Sequence, residues 1–201
     1  EGNVYTSASD KFGSWPVFAI YGADEAWTSS TLKVIHTPVL LLHGFQLWGF
    51  IPDTIWHDLA FYLTNDNEPT PDDYGMTRYS GNNYVVYISN YTRDNSHGTN
   101  KHISEYARNL PNEILTIRSR PNESIEKIDI VAHSMGGLVA RAYIEGEDGD
   151  TKPYNHDIRK LIMLGTPNHG AANLARLGPA GDWGSWESYR ELMFPWIFID
   201  Q

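Results

Sequence analysis

The sequence predicts an α/β protein with a mainly parallel sheet and helices on both faces of the sheet. Three observations lead to this prediction. Short apolar runs at residues 37–45, 84–88, 128–132 and 160–167 have the length and composition of strands buried on both faces. Segments with apolar residues at helical spacing lie between several of them. Because strands and helices alternate, successive strands are expected to run parallel.

The first apolar run, TPVLLLHGF, ends at a glycine and predicts a strand inside the sheet. A helix is expected over residues 53–63, since Asp53 is a suitable cap and apolar residues follow at intervals of four. The inward face predicted for this helix consists of Ile55, Leu59 and Leu63.

The second run, YVVYI, predicts a buried strand, and the next helical pattern covers residues 102–117, where Pro111 should cause a kink or a restart. The third strand, residues 128–132, leads directly into a serine and a helix. That helix should turn Leu138, Val139, Ala142 and Tyr143 inward.

Composition and charge exclude several classes of protein. A chain of 201 residues is long enough for one well-buried domain, and its formal charge of −10 argues against a nucleic-acid partner. There is no cysteine, so disulfides and thiolate metal sites are excluded. No apolar run approaches the length of a membrane-spanning helix, so no transmembrane segment is expected.

The stretch VAHSMGG predicts that Ser134 is a nucleophile. A nucleophile elbow is a sharp turn from strand to helix, which needs small residues two positions before and after the serine. Ala132 and Gly136 stand there, with Gly137 behind them. The alternative, that Ser134 is an ordinary helix cap, is the less economical interpretation.

The stretch HGF at residues 43–45 predicts an oxyanion loop. Acyl transfer creates a negative oxygen, which two fixed backbone N–H groups stabilise. One donor should be the N–H of Met135, directly after the nucleophile. The other is assigned to Phe45, with Gln46 as a second choice. His43, beside the glycine, is expected to have a hydrogen-bonded structural role rather than to bind metal.

These segments, together with KLIMLGTPNHGA at residues 160–171, resemble those of α/β-hydrolase lipases and esterases, especially bacterial and archaeal triacylglycerol lipases. They also resemble the lecithin:cholesterol acyltransferase and inositol deacylase branches. The resemblance covers residues 37–171 and implies a serine hydrolase acting on lipid or other carboxylic esters, without a metal or other cofactor. A secreted or extracellular location is expected with it.

Activation of Ser134 requires a histidine as general base and a carboxylate that orients it. In this fold the acid and the histidine follow the serine on loops after later strands, but only one recognisable strand follows Ser134. His156 lies in a polar loop, and the resemblance implies that the segment around His169 shapes the edge of the pocket rather than supplying the general base. We therefore expect the acid and base beyond Gln201, so that the chain would be the N-terminal part of a larger hydrolase.

The last thirty residues, 172–201, are rich in large aromatic side chains. They are interpreted either as core or as the start of a lid that contacts a lipid–water interface. Residues 1–171 are expected to be the N-terminal part of a single α/β-hydrolase domain. Trp48 and Phe50 are further candidates for an acyl pocket. Phospholipase, amidase, acyltransferase and a non-catalytic binding domain of the same fold remain alternatives.

Overall fold

The computed structural model describes residues 13–21, 24–45, 52–93, 101–121, 125–146, 154–171 and 192. Four helices with α-helical geometry and eight strands lie in these ranges. The strands are β1 (Gly13–Tyr21), β2 (Asp24–Val34), β3 (Val39–Leu42), β4 (Thr70–Pro71), β5 (Thr77–Gly81), β6 (Tyr84–Ile88), β7 (Ile128–His133) and β8 (Ile158–Leu164). The helices are α1 (Pro52–Thr64), α2 (Ile103–Ala107), α3 (Leu110–Arg118) and α4 (Met135–Glu145).

The main sheet has the strand order β4-β5-β6-β3-β7-β8. Strands β6, β3, β7 and β8 are parallel to one another, whereas β4 and β5 are antiparallel additions at one end. Strands β1 and β2 form a separate antiparallel pair, which the sequence analysis did not predict. The predicted α/β class with a mainly parallel sheet is therefore confirmed for the described residues.

Helices cover both faces of the sheet at its central strand β3, where successive residues point to opposite faces. Leu40 and Leu42 of β3 belong to a large buried cluster with α2, α3 and α4. Leu41, between them, belongs to a second cluster with Trp56 and Ala60 of α1. The strands are continuously apolar for this reason, and burial of each large side chain contributes about 1.5–3 kcal/mol.

Helix α1 turns a different face inward from the one predicted. Trp56 and Ala60 are buried, Leu59 and Leu63 pack at the margin of their cluster, and Ile55 is 38% exposed. The helix begins at Pro52 rather than at Asp53. The predicted break at Pro111 is confirmed as a restart, since the proline occupies the first turn of α3, where a missing N–H costs nothing.

Strand β8 is the last strand of the sheet within the described ranges. It begins two residues earlier than predicted and ends at Leu164. Its apolar side chains are unusually exposed, at 47% for Ile162, 39% for Met163 and 44% for Leu164.

In the aromatic tail, Leu192 is described and is buried in the larger cluster, where its carbonyl accepts the Ala171 N–H at 2.7 Å. The rest of the tail, and with it the proposed lid, lies outside the described residues. None of the described helices is long and apolar enough to cross a bilayer.

Candidate active site

Ser134 occupies the turn between β7 and α4 in a backbone conformation that serine rarely adopts. Its φ is 52° and its ψ is −124°, a region favoured by glycine. The strain is held by hydrogen bonds: the Ser134 N–H donates to the Leu164 carbonyl at 2.9 Å, and the Gly137 N–H donates to the Ser134 carbonyl at 3.1 Å. The Ser134 side chain makes no capping hydrogen bond to α4. The backbone thus makes the sharp strand-to-helix turn that the sequence predicts, and the Ser134 side chain is not used to cap α4.

Glycines allow the elbow and the predicted oxyanion loop to touch. A Cβ atom at Gly44 would lie 2.8 Å from the Ser134 Cβ, and one at Gly136 would lie 2.4 Å from the His43 carbonyl oxygen. Both separations are shorter than real Cβ atoms show, so neither position has room for a side chain without a shift. The structure therefore brings together two motifs that are ninety residues apart in the chain.

The segment after β8 also packs closely against the elbow. A Cβ at Gly137 would lie 2.0 Å from the Thr166 Oγ1, an atom that is buried without a hydrogen-bond partner. The Arg141 guanidinium donates to the Asn168 side-chain oxygen at 3.1 Å and so links this segment to α4. The LGTPNHG stretch thus lies against the start of α4.

The two predicted oxyanion donors flank this contact. Met135 is buried and is the first residue of α4, so its N–H has no acceptor within the helix and lies at the positive end of the helix dipole. Phe45 follows Gly44 directly, and its partly buried side chain packs against the larger cluster. Gln46, the second choice, lies outside the described residues.

His43 is fully buried beside the oxyanion loop. Burial lowers its pKa to about 4, although the hydrogen bond to Gly44 opposes that shift. Its Nδ1 lies 2.8 Å from the Gly44 carbonyl, which can only accept, so Nδ1 carries the proton. Nε2 is left as an acceptor for the Thr92 hydroxyl at 3.4 Å. His43 is a neutral, hydrogen-bonded group, as the sequence analysis expected.

The loop after β6 is held by a buried carboxylate that the sequence analysis missed. Glu113 of α3 accepts a hydrogen bond from the Ser89 hydroxyl at 2.5 Å and forms an ion pair with Arg93 at 2.8 Å. Burial raises the pKa of Glu113 to about 7, while the Ser89 and Arg93 interactions favour its charged form. A signal was available, since Glu113 shares the buried face of α3 with Leu110 and Ile117.

The described residues after Ser134 include two carboxylates, Glu145 and Asp157, and neither can serve as the triad acid. Glu145 ends α4, about 15 Å along the helix from its start. Asp157 precedes β8 at the opposite end of the parallel strands, roughly 20 Å from the elbow, and accepts hydrogen bonds from Tyr143. His156 lies at that same far end, exposed to solvent.

His169 is the described histidine after Ser134 that lies at the same end of the sheet as the elbow. It is exposed, in a turn after β8. His133, the last residue of β7, is exposed. Its Nδ1 lies 3.0 Å from where a Gly44 Cβ would be, so the ring is beside the oxyanion loop.

Trp48 and Phe50, the further candidates for an acyl pocket, lie outside the described residues. Over the ranges that the structure describes, no group of three or more histidine, aspartate or glutamate side chains is placed to hold a metal ion.

The chain is similar to one family model over part of its length and to several solved structures. A family model described as a domain of unknown function, DUF7379, matches residues 97–183, less than half of the chain. No curated protein sequence matches. Among solved structures, the mature lipase BlEst2 of Bacillus licheniformis is 17% identical with a TM-score of 0.46, over 81% of this chain and 56% of that one.

Two further structures are similar to a comparable degree. The product of the Listeria innocua gene lin2722 is 23% identical with a TM-score of 0.44, over 68% of this chain and 54% of that one. The phospholipase PlaB of Legionella pneumophila, in complex with thio-NAD, is 16% identical with a TM-score of 0.42, over 81% of this chain and 31% of that one. The chain thus spans less than two thirds of each, and these likenesses establish neither a family nor an activity for it.

Proposed function

We propose that this chain carries the nucleophile and the oxyanion hole of a serine hydrolase that cleaves carboxylic esters of lipids. The observation that carries the proposal is the strained backbone of Ser134, with φ of 52°, held in contact with Gly44. Strained non-glycine residues that the surrounding structure maintains are concentrated at functional sites. The conformation exposes a nucleophile at the end of a strand, where backbone N–H groups can reach the substrate.

In the proposed reaction the Ser134 Oγ attacks the ester carbonyl carbon, while a general base takes the hydroxyl proton. The carbonyl oxygen becomes an oxyanion and accepts hydrogen bonds from the N–H groups of Met135 and Phe45. Collapse of this intermediate expels the alcohol, which receives the proton, and leaves an acyl-serine. Water then attacks the acyl group in the same way and releases the acid and free Ser134.

The general base and its acid are a separate part of the proposal. His169 is the candidate within the described residues, because it lies at the correct end of the sheet. Residues outside the described ranges, or in a longer form of the protein, are the alternative source. The buried, neutral His43 is excluded, since both of its ring nitrogens are engaged by Gly44 and Thr92.

The decisive experiment treats the 201-residue chain and the longest natural gene product with an alkyl fluorophosphonate and measures intact mass. Attack by an activated Ser134 displaces fluoride and adds one phosphonyl group. We expect a single addition that is absent in Ser134→Ala. Labelling of the short chain that is lost in His169→Ala would assign the base to His169, whereas labelling of the longer form alone would assign it elsewhere.

Absence of labelling in both forms would overturn the proposal and favour a non-catalytic domain. The substrate class is tested separately, by comparing hydrolysis of p-nitrophenyl esters of short and long chains with that of emulsified triacylglycerol and phospholipid. A preference for emulsified triacylglycerol supports a lipase. Preference for phospholipid, or transfer to an alcohol instead of water, would replace the lipase assignment with a phospholipase or an acyltransferase.

A further inference from the structure

The oxyanion donors of an acyl-transfer enzyme are useful only if their peptide groups are held in one orientation. A peptide group is planar and trans, so its N–H and C=O point in opposite directions. The Phe45 N–H therefore has the direction opposite to the Gly44 C=O. Whatever holds the Gly44 carbonyl also aims the donor proposed for the oxyanion.

His43 holds that carbonyl. The protonated Nδ1 of its imidazole donates to the Gly44 oxygen at 2.8 Å. This hydrogen bond keeps the Gly44 carbonyl on the buried side, and a rotation of the Gly44–Phe45 peptide would break it. The orientation of the Phe45 N–H thus depends on the orientation of the His43 ring.

Tyr91 holds His43 in two ways. Its ring is stacked on the imidazole, with centroids 4.2 Å apart and planes within 13°. Its hydroxyl donates to the His43 carbonyl at 2.7 Å, which fixes the peptide before Gly44. A second, longer contact of 3.5 Å joins the hydroxyl to the Gly44 carbonyl itself. One side chain therefore contacts both peptide groups of the loop and the ring between them.

Tyr91 is itself fixed. It is fully buried, its N–H donates to the Ser89 hydroxyl at 3.2 Å, and its carbonyl accepts from the Asn109 side chain at 2.7 Å. The Ser89 hydroxyl in turn donates to Glu113 at 2.5 Å. The chain of contacts runs from α3 through Tyr91 to the oxyanion loop, and every link in it is buried or half-buried.

We propose that Tyr91 is a positioning residue for the oxyanion hole, acting through His43 and Gly44 to aim the Phe45 N–H at the ester oxygen. This inference rests on the proposed function. Tyr91 touches no reacting atom, so its loss should affect the transition state while leaving ground-state binding of the substrate almost unchanged.

The test is Tyr91→Phe in the longest natural form of the enzyme, which removes the hydroxyl and keeps the stacked ring. We expect kcat for a p-nitrophenyl ester to fall about tenfold or more, with KM within about twofold of the parent value. The inhibition constant of an alkyl trifluoromethyl ketone, which forms an oxyanion on Ser134, should rise by the same factor as kcat/KM falls.

The matched control is Tyr143→Phe. Tyr143 is also buried and also loses a hydroxyl hydrogen bond, to Asp157 at 2.8 Å, but at the far end of the sheet. It should keep kcat within about twofold of the parent value. An equal loss of kcat in both variants would overturn the inference, because it would show general destabilisation.

Unchanged kcat and ketone affinity in a folded Tyr91→Phe variant would also overturn it, while leaving the proposed function intact if the parent enzyme still labels at Ser134. Failure of the parent itself to label or turn over esters would overturn both. If Tyr91→Phe does not fold, Ser89→Ala removes the acceptor of the Tyr91 N–H. A fall in kcat of about threefold or more then supports the inference, and no change opposes it.

Discussion

Gly44 and Ser134 lie in direct contact, so closely that a Cβ atom on residue 44 would stand 2.8 Å from the Ser134 Cβ. Gly44 belongs to the loop after β3 and Ser134 to the turn after β7, and these two parallel strands are neighbours in the sheet. Their carboxyl ends meet at one edge, which is where ligands bind in open α/β sheets. The contact leaves room for hydrogen alone on residue 44.

Gly44→Ala should therefore impair the reaction more than the fold. The added methyl group must displace either the loop or Ser134, and a misplaced oxyanion donor costs about 10²–10³ in kcat. The measurement is kcat for ester hydrolysis together with the thermal unfolding midpoint. Parent-like kcat in the variant would show that the loop does not contribute a donor.

Gly146→Ala is a suitable control for that experiment. Gly146 ends α4 at a φ of 76°, where alanine is strained, and among the described residues no atom beyond its chain neighbours and the α4 backbone lies within 4 Å of the position of its Cβ. The variant should lose about 1 kcal/mol of stability and keep its activity per folded molecule.

Gly136→Ala tests the packing behind the elbow. In a helix interior this substitution normally stabilises by about 1 kcal/mol. Here the new Cβ would stand 2.4 Å from the His43 carbonyl oxygen, so we expect a loss of about 1–3 kcal/mol. Urea denaturation measures the difference. An increase in the free energy of unfolding would contradict the described approach of α4 to the end of β3.

The raised pKa of Glu113, about 7, predicts a specific pH dependence of stability. A carboxyl group whose pKa is higher in the folded state stabilises the fold when protonated, and that contribution is lost as pH rises from about 4.5 through 7. The free energy of unfolding of the parent relative to Glu113→Gln should thus fall by about 3 kcal/mol across this range.

Glu145→Gln provides the comparison for Glu113→Gln. Glu145 is a half-exposed partner of Arg141 in an i,i+4 pair on the surface of α4. Pairs of this kind contribute little, about 0.3–0.5 kcal/mol. Equal pH profiles for the two variants would show that Glu113 titrates as an ordinary surface carboxylate.

The contribution of His43 to stability should depend on pH in the opposite sense. Its pKa of about 4 lies below the ordinary value, so its contribution to stability is present above about pH 6.5 and is lost as pH falls through 4. Nitrogen NMR of the imidazole, assigned by comparison with His43→Asn, should show a neutral, Nδ1-protonated ring throughout pH 5–8. A titration midpoint near 6.5 would contradict the buried placement.

The central strands could be predicted from sequence because a strand buried on both faces must be continuously apolar. Tyr84–Ile88 was predicted with the bounds that the structure gives it. The inward face of α1 could not be predicted in the same way. Apolar residues lie at both Ile55 and Trp56, and the choice between these faces is made by contact with the sheet.

The two backbone motifs of the site could be predicted from sequence, because glycines beside a serine indicate a sharp turn and a close approach of two chain segments. The buried network around Tyr91 could not, because Ser89, Thr92 and Glu113 are residue types that usually face solvent. A polar side chain is interpreted as exposed unless its partner is known, and the partners here are distant in sequence. Glu113 is the exception, because its helical spacing from Leu110 and Ile117 indicates that it lies on the buried face of α3.

The two edges of the main sheet differ in how they meet other molecules. At one end β4 is two residues long and contains Pro71, which lacks an N–H, so it is a poor template for another strand. At the other end of the described sheet, β8 is seven residues long with three exposed apolar side chains. At the β4 end a second chain would thus find almost no strand to pair with, which disfavours edge-to-edge aggregation there.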